Sequence, residues 1–235
     1  MSDRILVALD VETRDQALTL ADCLRGSVAG FKIGSRLFTS AGPSIVRTLV
    51  ERGDRVFLDL KFHDIPNTVA TAVAAAVELG VWMLNVHASG GTAMMQAARA
   101  AADDAAAKRN SQPPLLIAVT VLTSMSQAAL REIGVVIDVM DQVLRLAELT
   151  REAGLDGVVA SPRETAAIRS RCGAGFAIVT PGIRGGAAGG PKGDQERTMS
   201  PAEAVAAGAS YLVVGRPIIA AADPAAAALA ISESL

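Results

Sequence analysis

The stretch R-V-F-L-D-L-K-F-H-D-I-P-N-T, from Arg55 to Thr68, begins as a strand and ends as the start of a helix. Val56-Phe57-Leu58 is an apolar run of strand-forming residues. Pro66 suits the first position of a helix, where its fixed φ and missing N–H are no handicap. Side chains on a strand alternate between faces, so Asp59 and Lys61 project to one side. An acid and an ammonium at the end of an apolar strand are costly to desolvate unless they hold each other or a ligand. The plainer alternative is a solvated ion pair where the strand frays. This stretch alone does not choose between them, and the other strands must.

The same strand-then-helix unit recurs along the chain. Strands are expected at Ile5–Asp10, Gly30–Gly34, from Val56, at Trp82–Ala88, Leu115–Leu122, Gly157–Ser161, Phe176–Thr180 and Tyr211–Gly215. Between them lie helical segments with recognisable starts. Thr13-x-x-Gln16, Ser161-Pro162-Arg163-Glu164 and Ser200-Pro201-Ala202-Glu203 are capping boxes, and Asp223-Pro224 opens the last helix. The helix from Ser35 to Glu51 is expected to break at Gly42-Pro43. Eight alternations with apolar strands predict a parallel sheet covered by helices and closed into a (β/α)8 TIM barrel, a single domain over residues 1–235. An open doubly wound sheet is the alternative, but no G-x-G-x-x-G follows the first strand.

Composition narrows the function classes. The 235 residues carry a net charge of -2, with 51% apolar, 20% charged and 3% aromatic residues. Nothing in them suggests a nucleic-acid surface, which needs clustered Lys/Arg or stacking aromatics. Mean hydropathy is +0.37, yet no apolar run is long enough to span a bilayer uninterrupted by charge or proline. The start M-S-D-R-I-L-V-A-L-D is read as a strand rather than a signal peptide. Cys23 and Cys172 are expected to be free core thiols in a reducing cytoplasm.

In such barrels, active sites are built at the C-terminal ends of the strands. Asp10, Lys32, Asp59 with Lys61, His87, Thr120, Ser161, Arg184 and Arg216 all fall at or near such ends. Each has a plainer reading. Asp10 could cap a helix, Lys32 could snorkel, and His87 suits a hydrogen-bonded structural role better than that of a base. The signal is the set: two acids and two lysines at the ends of strands one to three. A second set follows strands seven and eight, where barrel phosphate sites are found: T-P-G-I-R at 180–184 and V-G-R-P at 214–217. Glycine lets backbone N–H groups approach an anion, and arginine offers a planar fork of donors. The glycine-rich segment 185–193 reads as a lid over that anion. Metal chemistry is poorly supported, because His63 and His87 lack ligand spacing and carboxylates are few.

These residues resemble the orotidine 5′-phosphate decarboxylase family along the whole chain. The specific parts are D-L-K-F-H-D-I-P-N-T at 59–68, T-P-G-I-R, D-Q-E-R and V-G-R-P-I. A-L-D, F-K-I-G, N-V-H-A-S-G-G and V-T-V-L-T-S-M support them. The resemblance implies decarboxylation of orotidine 5′-phosphate to UMP and CO2, with Lys61 as proton donor. It implies a charged network of Lys32, Asp59, Lys61 and Asp64. Asp10 and Lys32 would bind ribose hydroxyls, and Thr123 would lie near the pyrimidine. Pro181 would add to the substrate site, while Arg184, Gln195, Gly215 and Arg216 would hold the phosphate and close the lid. It also implies a homodimer without metal or organic cofactor, in which Asp64, Ile65 and Thr68 reach the partner's site. A metal-dependent sugar-phosphate decarboxylase or synthase of the same superfamily, and a non-catalytic phosphate binder, are the rival readings.

Overall fold

A computed structural model describes residues 3–183 and 199–235. Its strands are β1 (Ile5–Ala8), β2 (Gly30–Gly34), β3 (Val56–Phe62), β4 (Met83–His87), β5 (Leu115–Val119), β6 (Gly157–Val159), β7 (Ala177–Thr180) and β8 (Tyr211–Val214). All pair in parallel in chain order, and β8 closes on β1 through Leu6↔Val213. The helices are α1 (Arg14–Leu24), α2 (Ser35–Ala41), α3 (Ser44–Glu51), α4 (Pro66–Val77), α5 (Gly91–Lys108), α6 (Gln127–Glu132), α7 (Val139–Glu152), α8 (Thr165–Cys172), α9 (Pro201–Ala206), α10 (Arg216–Ile219) and α11 (Pro224–Glu233). The expected barrel is therefore observed.

Local chemistry accounts for the helix boundaries. Thr13, Ser161 and Ser200 each form the capping box read from sequence, and Asp223 caps α11 through the Ala226 N–H. The predicted interruption at Gly42-Pro43 is real: Gly42 has φ +67, beyond the reach of most L side chains, and separates α2 from α3. Two short helices, α6 and α10, were not expected. Both lie in strand–helix connections and are too short to show periodicity.

The strand faces divide the core in two. Outward residues such as Ile5, Val7, Ile33, Leu58, Leu84 and Ile178 pack under the helices, the larger apolar cluster. Inward residues Leu6, Ala8, Phe57, Met83, Ile117, Val179 and Val213 form a smaller one that fills the barrel. Trp82 and Tyr211, edge to face with centroids 5.2 Å apart, close the N-terminal end of that column, with Arg55 over the indole. Where the strands come closest, a side chain has no room. A Cβ on Gly157 would lie 2.1 Å from the Ala177 carbonyl oxygen.

The cysteines correct the sequence reading. Both are free, but Cys23 is exposed and Cys172 half-buried. The buried stripe of α1 is Ala17, Leu18, Ala21 and Leu24, and Cys23 falls outside it.

Candidate active site

Followed toward their C-terminal ends, the inward faces change character. Ala8 gives way to Asp10, Phe57 to Asp59 and then Lys61, and Met83 to Asn85 and then His87. Val213 is followed by Gly215. A cavity of about 570 Å³ opens there, lined among others by Asp10, Lys32, Asp59, Lys61, Thr123, Pro181, Gly215 and Arg216. Strands one, two, three, five, seven and eight thus deliver eight of the residues singled out from sequence to one mouth.

The charged groups form a line of alternating sign. Lys32 Nζ stands 3.2 Å from Asp10 Oδ1 and 3.4 Å from Asp59 Oδ2, and Lys61 Nζ stands 2.7 Å from Asp59 Oδ1. Lys32 and Asp59 are buried. Burial pushes the Asp59 carboxyl up. The charges of Lys32 and Lys61, with hydrogen bonds from Lys61 and Asn85, outweigh it and hold the group below the usual carboxylate range. A buried carboxylate between two ammonium groups is ionised in the resting protein.

The backbone at Lys61 is unusual. β3 loses register with β4 between Leu58 and Phe62, and Lys61 has φ +54. Among the described residues only Asn110 shares a positive φ without being glycine. Non-glycine residues occupy this region seldom, and such outliers gather at functional sites. The bulge is held by Asn85, a fully buried residue that sequence reading missed. Its Oδ1 accepts the Lys61 N–H at 2.8 Å, and its Nδ2 donates to Asp59 Oδ1 at 2.7 Å. Its signal was available: an amide on the inward face of an otherwise apolar strand, two residues before His87.

Other expectations resolve differently. Thr120 donates to the Val159 carbonyl and Ser161 caps the turn before α8, so both serve the scaffold. The His87 side chain is half-buried and makes no hydrogen bond to a described residue, where a hydrogen-bonded structural histidine is expected. It packs against His63 with ring centroids 5.4 Å apart. Burial, together with the charges of His63 and Lys61, lowers its pKa against the pull of Asp59. Asp64, Ile65 and Thr68 are exposed and do not line this cavity in the single chain. The Asp64 carboxylate accepts the Ile65 N–H at 2.6 Å. Arg184, Gln195 and the glycine-rich segment 185–193 lie outside the described residues. Among the described residues no three His, Cys, Asp or Glu side chains assemble into a metal-binding group, and no helix is long and apolar enough to cross a membrane.

The walls are as informative as the charges. Val119, Val121, Val159 and Ile183 add apolar surface to the cavity, which Pro181, Gly182, Gly215 and Arg216 also line. Apolar walls beside acids, lysines and an arginine suit a molecule with both apolar and charged parts.

Comparison with known proteins agrees with this geometry. The sequence profile of the family "Orotidine 5'-phosphate decarboxylase / HUMPS" matches residues 3–231. The chain is 59% identical over 234 residues to orotidine 5′-phosphate decarboxylase of Moorella thermoacetica, covering 99% of this chain and 92% of that one. It is 54% identical over 231 residues to the Sodalis glossinidius protein of the same name, covering 98% and 89%. The crystal structure of orotidine 5′-phosphate decarboxylase from Lactobacillus acidophilus superposes with a TM-score of 0.87 at 37% identity, covering 98% of each chain. That from Pyrococcus horikoshii OT3 superposes at 0.77 and 28% identity, again covering 98% of each.

Proposed function

Because the chain belongs to the orotidine 5′-phosphate decarboxylase / HUMPS family, we propose that it converts orotidine 5′-phosphate to UMP and CO2 in pyrimidine nucleotide synthesis. Its relatives set it among the carboxy-lyases of that family. In this reading residues 1–235 act as one catalytic domain in the cytoplasm, without metal or organic cofactor. The observation that carries the proposal is the line Asp10–Lys32–Asp59–Lys61 at the mouth of the barrel, buried at Lys32 and Asp59.

Loss of CO2 from the pyrimidine ring leaves an electron pair in the plane of the ring, where the π system cannot delocalise it. Stabilisation must then come from fixed charge. The Lys61 ammonium is such a charge and also carries a proton. It stabilises the carbanion as CO2 departs and then protonates the same carbon. Asp59 lies against the substrate carboxylate, which gains by leaving, although Asp59 also keeps Lys61 aligned. Lys32 and Asp10 take ribose hydroxyls, and Thr123 and Pro181 flank the pyrimidine. Gly215 and Arg216 take the phosphate with Arg184 and Gln195. Arg216 is exposed and lines the cavity, and its guanidinium is a planar fork of donors suited to an anion. Binding at that distant end closes the site and so lowers the barrier at the reacting carbon.

In this reading the enzyme is a homodimer in which Asp64, Ile65 and Thr68 complete the partner's site. The exposure of one segment supports it. The segment from His63 to Thr68 is exposed in the single chain, and Ile65 is 67% exposed.

The test is the ultraviolet change when EDTA-treated protein meets orotidine 5′-phosphate. Conversion to UMP is the expected result. Inactivity, with turnover of a sugar phosphate restored by magnesium, would overturn the reading in favour of the synthase branch of the family.

A further inference from the structure

We infer that Asn85 is a positioning residue that fixes Asp59 and Lys61 relative to each other, and this rests on the decarboxylase reading above. Asn85 touches neither the cavity nor solvent. Both ends of its amide are instead committed to residues of β3. The Lys61 N–H can only donate, so the amide oxygen must face it, at 2.8 Å. That leaves the NH2 toward Asp59 Oδ1, at 2.7 Å, the same oxygen that receives Lys61 Nζ at 2.7 Å.

The geometry explains why an amide is needed. In a regular parallel ladder a backbone N–H finds a carbonyl on a neighbouring strand, but β3 loses its register with β4 between Leu58 and Phe62. The Asn85 side chain supplies the missing acceptor and holds a lysine backbone at φ +54. Its other end anchors the carboxylate to which the lysine's ammonium is tied. Lys61 is thus held twice, at its backbone by Asn85 and at its tip by Asp59, which Asn85 also holds. A leucine would fill the space and satisfy neither group. An aspartate would accept from Lys61 but set a carboxylate against a carboxylate. The charged groups facing this position are Asp59 and Lys61, with Lys32 and His87 beyond them.

This placement predicts which kinetic step suffers. Nucleotide affinity is drawn from the ribose and phosphate contacts on other strands, whereas proton delivery depends on where Lys61 Nζ sits. A displacement of about 1 Å at a catalytic group can cost about 100-fold in rate.

The experiment measures decarboxylation of orotidine 5′-phosphate and binding of UMP by the full-length wild type, Asn85→Ala and Asn85→Asp, with circular dichroism as the check on folding. Asn85→Ala is expected to lower kcat by about 100-fold while the UMP Kd stays within about three-fold. Asn85→Asp is expected to lose at least as much at neutral pH. Relative to wild type, its kcat should then recover as the pH falls, because the introduced carboxyl, once protonated, can again donate to Asp59. A merely architectural side chain gives no such recovery. If alanine prevents folding, the isosteric aspartate carries the test alone. Folded variants with wild-type kcat, or a parallel loss of kcat and UMP binding without recovery at low pH, would overturn the inference. A wild type that fails to decarboxylate at all would overturn the parent reading first.

Discussion

The Lys61 ammonium lies 2.7 Å from the Asp59 carboxylate across a bulge that takes β3 out of step with β4. Neither residue has a simple structural reason to be there. Replacing a buried ion pair by apolar side chains often leaves stability unchanged or improves it, and a lysine at positive φ adds strain. An arrangement that gains so little in folding is explained by what it does to a bound molecule. It presents a fixed positive charge, with a proton on it, to whatever occupies the cavity.

The first consequence concerns Lys61 itself. Lys61→Ala should lower kcat by at least about 1,000-fold, since both the electrostatic and the proton-donating contributions vanish. Its side chain is about one-third exposed and Lys32 still pairs with Asp59, so the variant should fold and unfold cooperatively, with a lowered midpoint. Single-turnover rates and a thermal melt check both halves; a folded, active alanine variant would refute the role.

Acid should destabilise the protein through two groups, His87 and Asp59, beginning at different pH. The Asp59 carboxyl is held below its ordinary range, so its contribution is complete above the unfolded value of about 3.9 and lost as pH falls through the lower folded value. His87 is also lowered, chiefly by burial, so the native state resists its protonation. Its contribution is complete above about 6.5 and lost as pH falls through its own lower folded pKa. Denaturant midpoints should therefore fall from pH 7.5 to 3, first through His87 and then through Asp59 as well. His87→Gln should flatten the upper part of the fall, and Asp59→Asn the lower.

Stability and catalysis should part company at Arg169. On the opposite, N-terminal rim its guanidinium donates to the carbonyls of Gly173, Ala174, Phe176 and Gly208 and to Ser210 Oγ. It thereby ties together the two turns that enter β7 and β8. Arg169→Ala should cost about 2–4 kcal/mol, because several carbonyls lose a charged donor at once. The kcat of the remaining folded protein should be unchanged. A urea melt beside an activity assay distinguishes this from a variant that damages the site.

The sequence made most of this visible because its strong signals were local. Capping boxes at Thr13, Ser161 and Ser200 and the break at Gly42 depend on neighbours along the chain. The inward placement of Lys32 and Asp59 follows from alternation along β2 and β3. What stayed hidden depends on contacts between strands. The role of Asn85 requires knowing that β3 bulges opposite it, and no periodicity announces a bulge. The opposite fates of the polar strand ends, with Thr120 and Ser161 serving the scaffold and Asp59 the cavity, turn on which carbonyl or cation lies across the sheet.

Gly34 offers the most discriminating test of how tightly the charged line is built. It ends β2 on the inward face, two residues beyond Lys32, with ordinary extended backbone (φ -92, ψ 176), so alanine is permitted there conformationally. Space is the difficulty. A Cβ would lie 3.0 Å from Lys32 Nζ and 3.4 Å from Asp10 Oδ1. The lysine tip can yield by a few tenths of an ångström, so the fold should survive with a stability change within about 1 kcal/mol. The displaced ammonium, however, sits between two carboxylates, and moving it disturbs both of its ion pairs. Gly34→Ala should therefore lower kcat/KM by about 10-fold or more while the melt scarcely moves. An unaltered kcat/KM would mean that the line Asp10–Lys32–Asp59 tolerates displacement and that only the Lys61 end is held to catalytic tolerance.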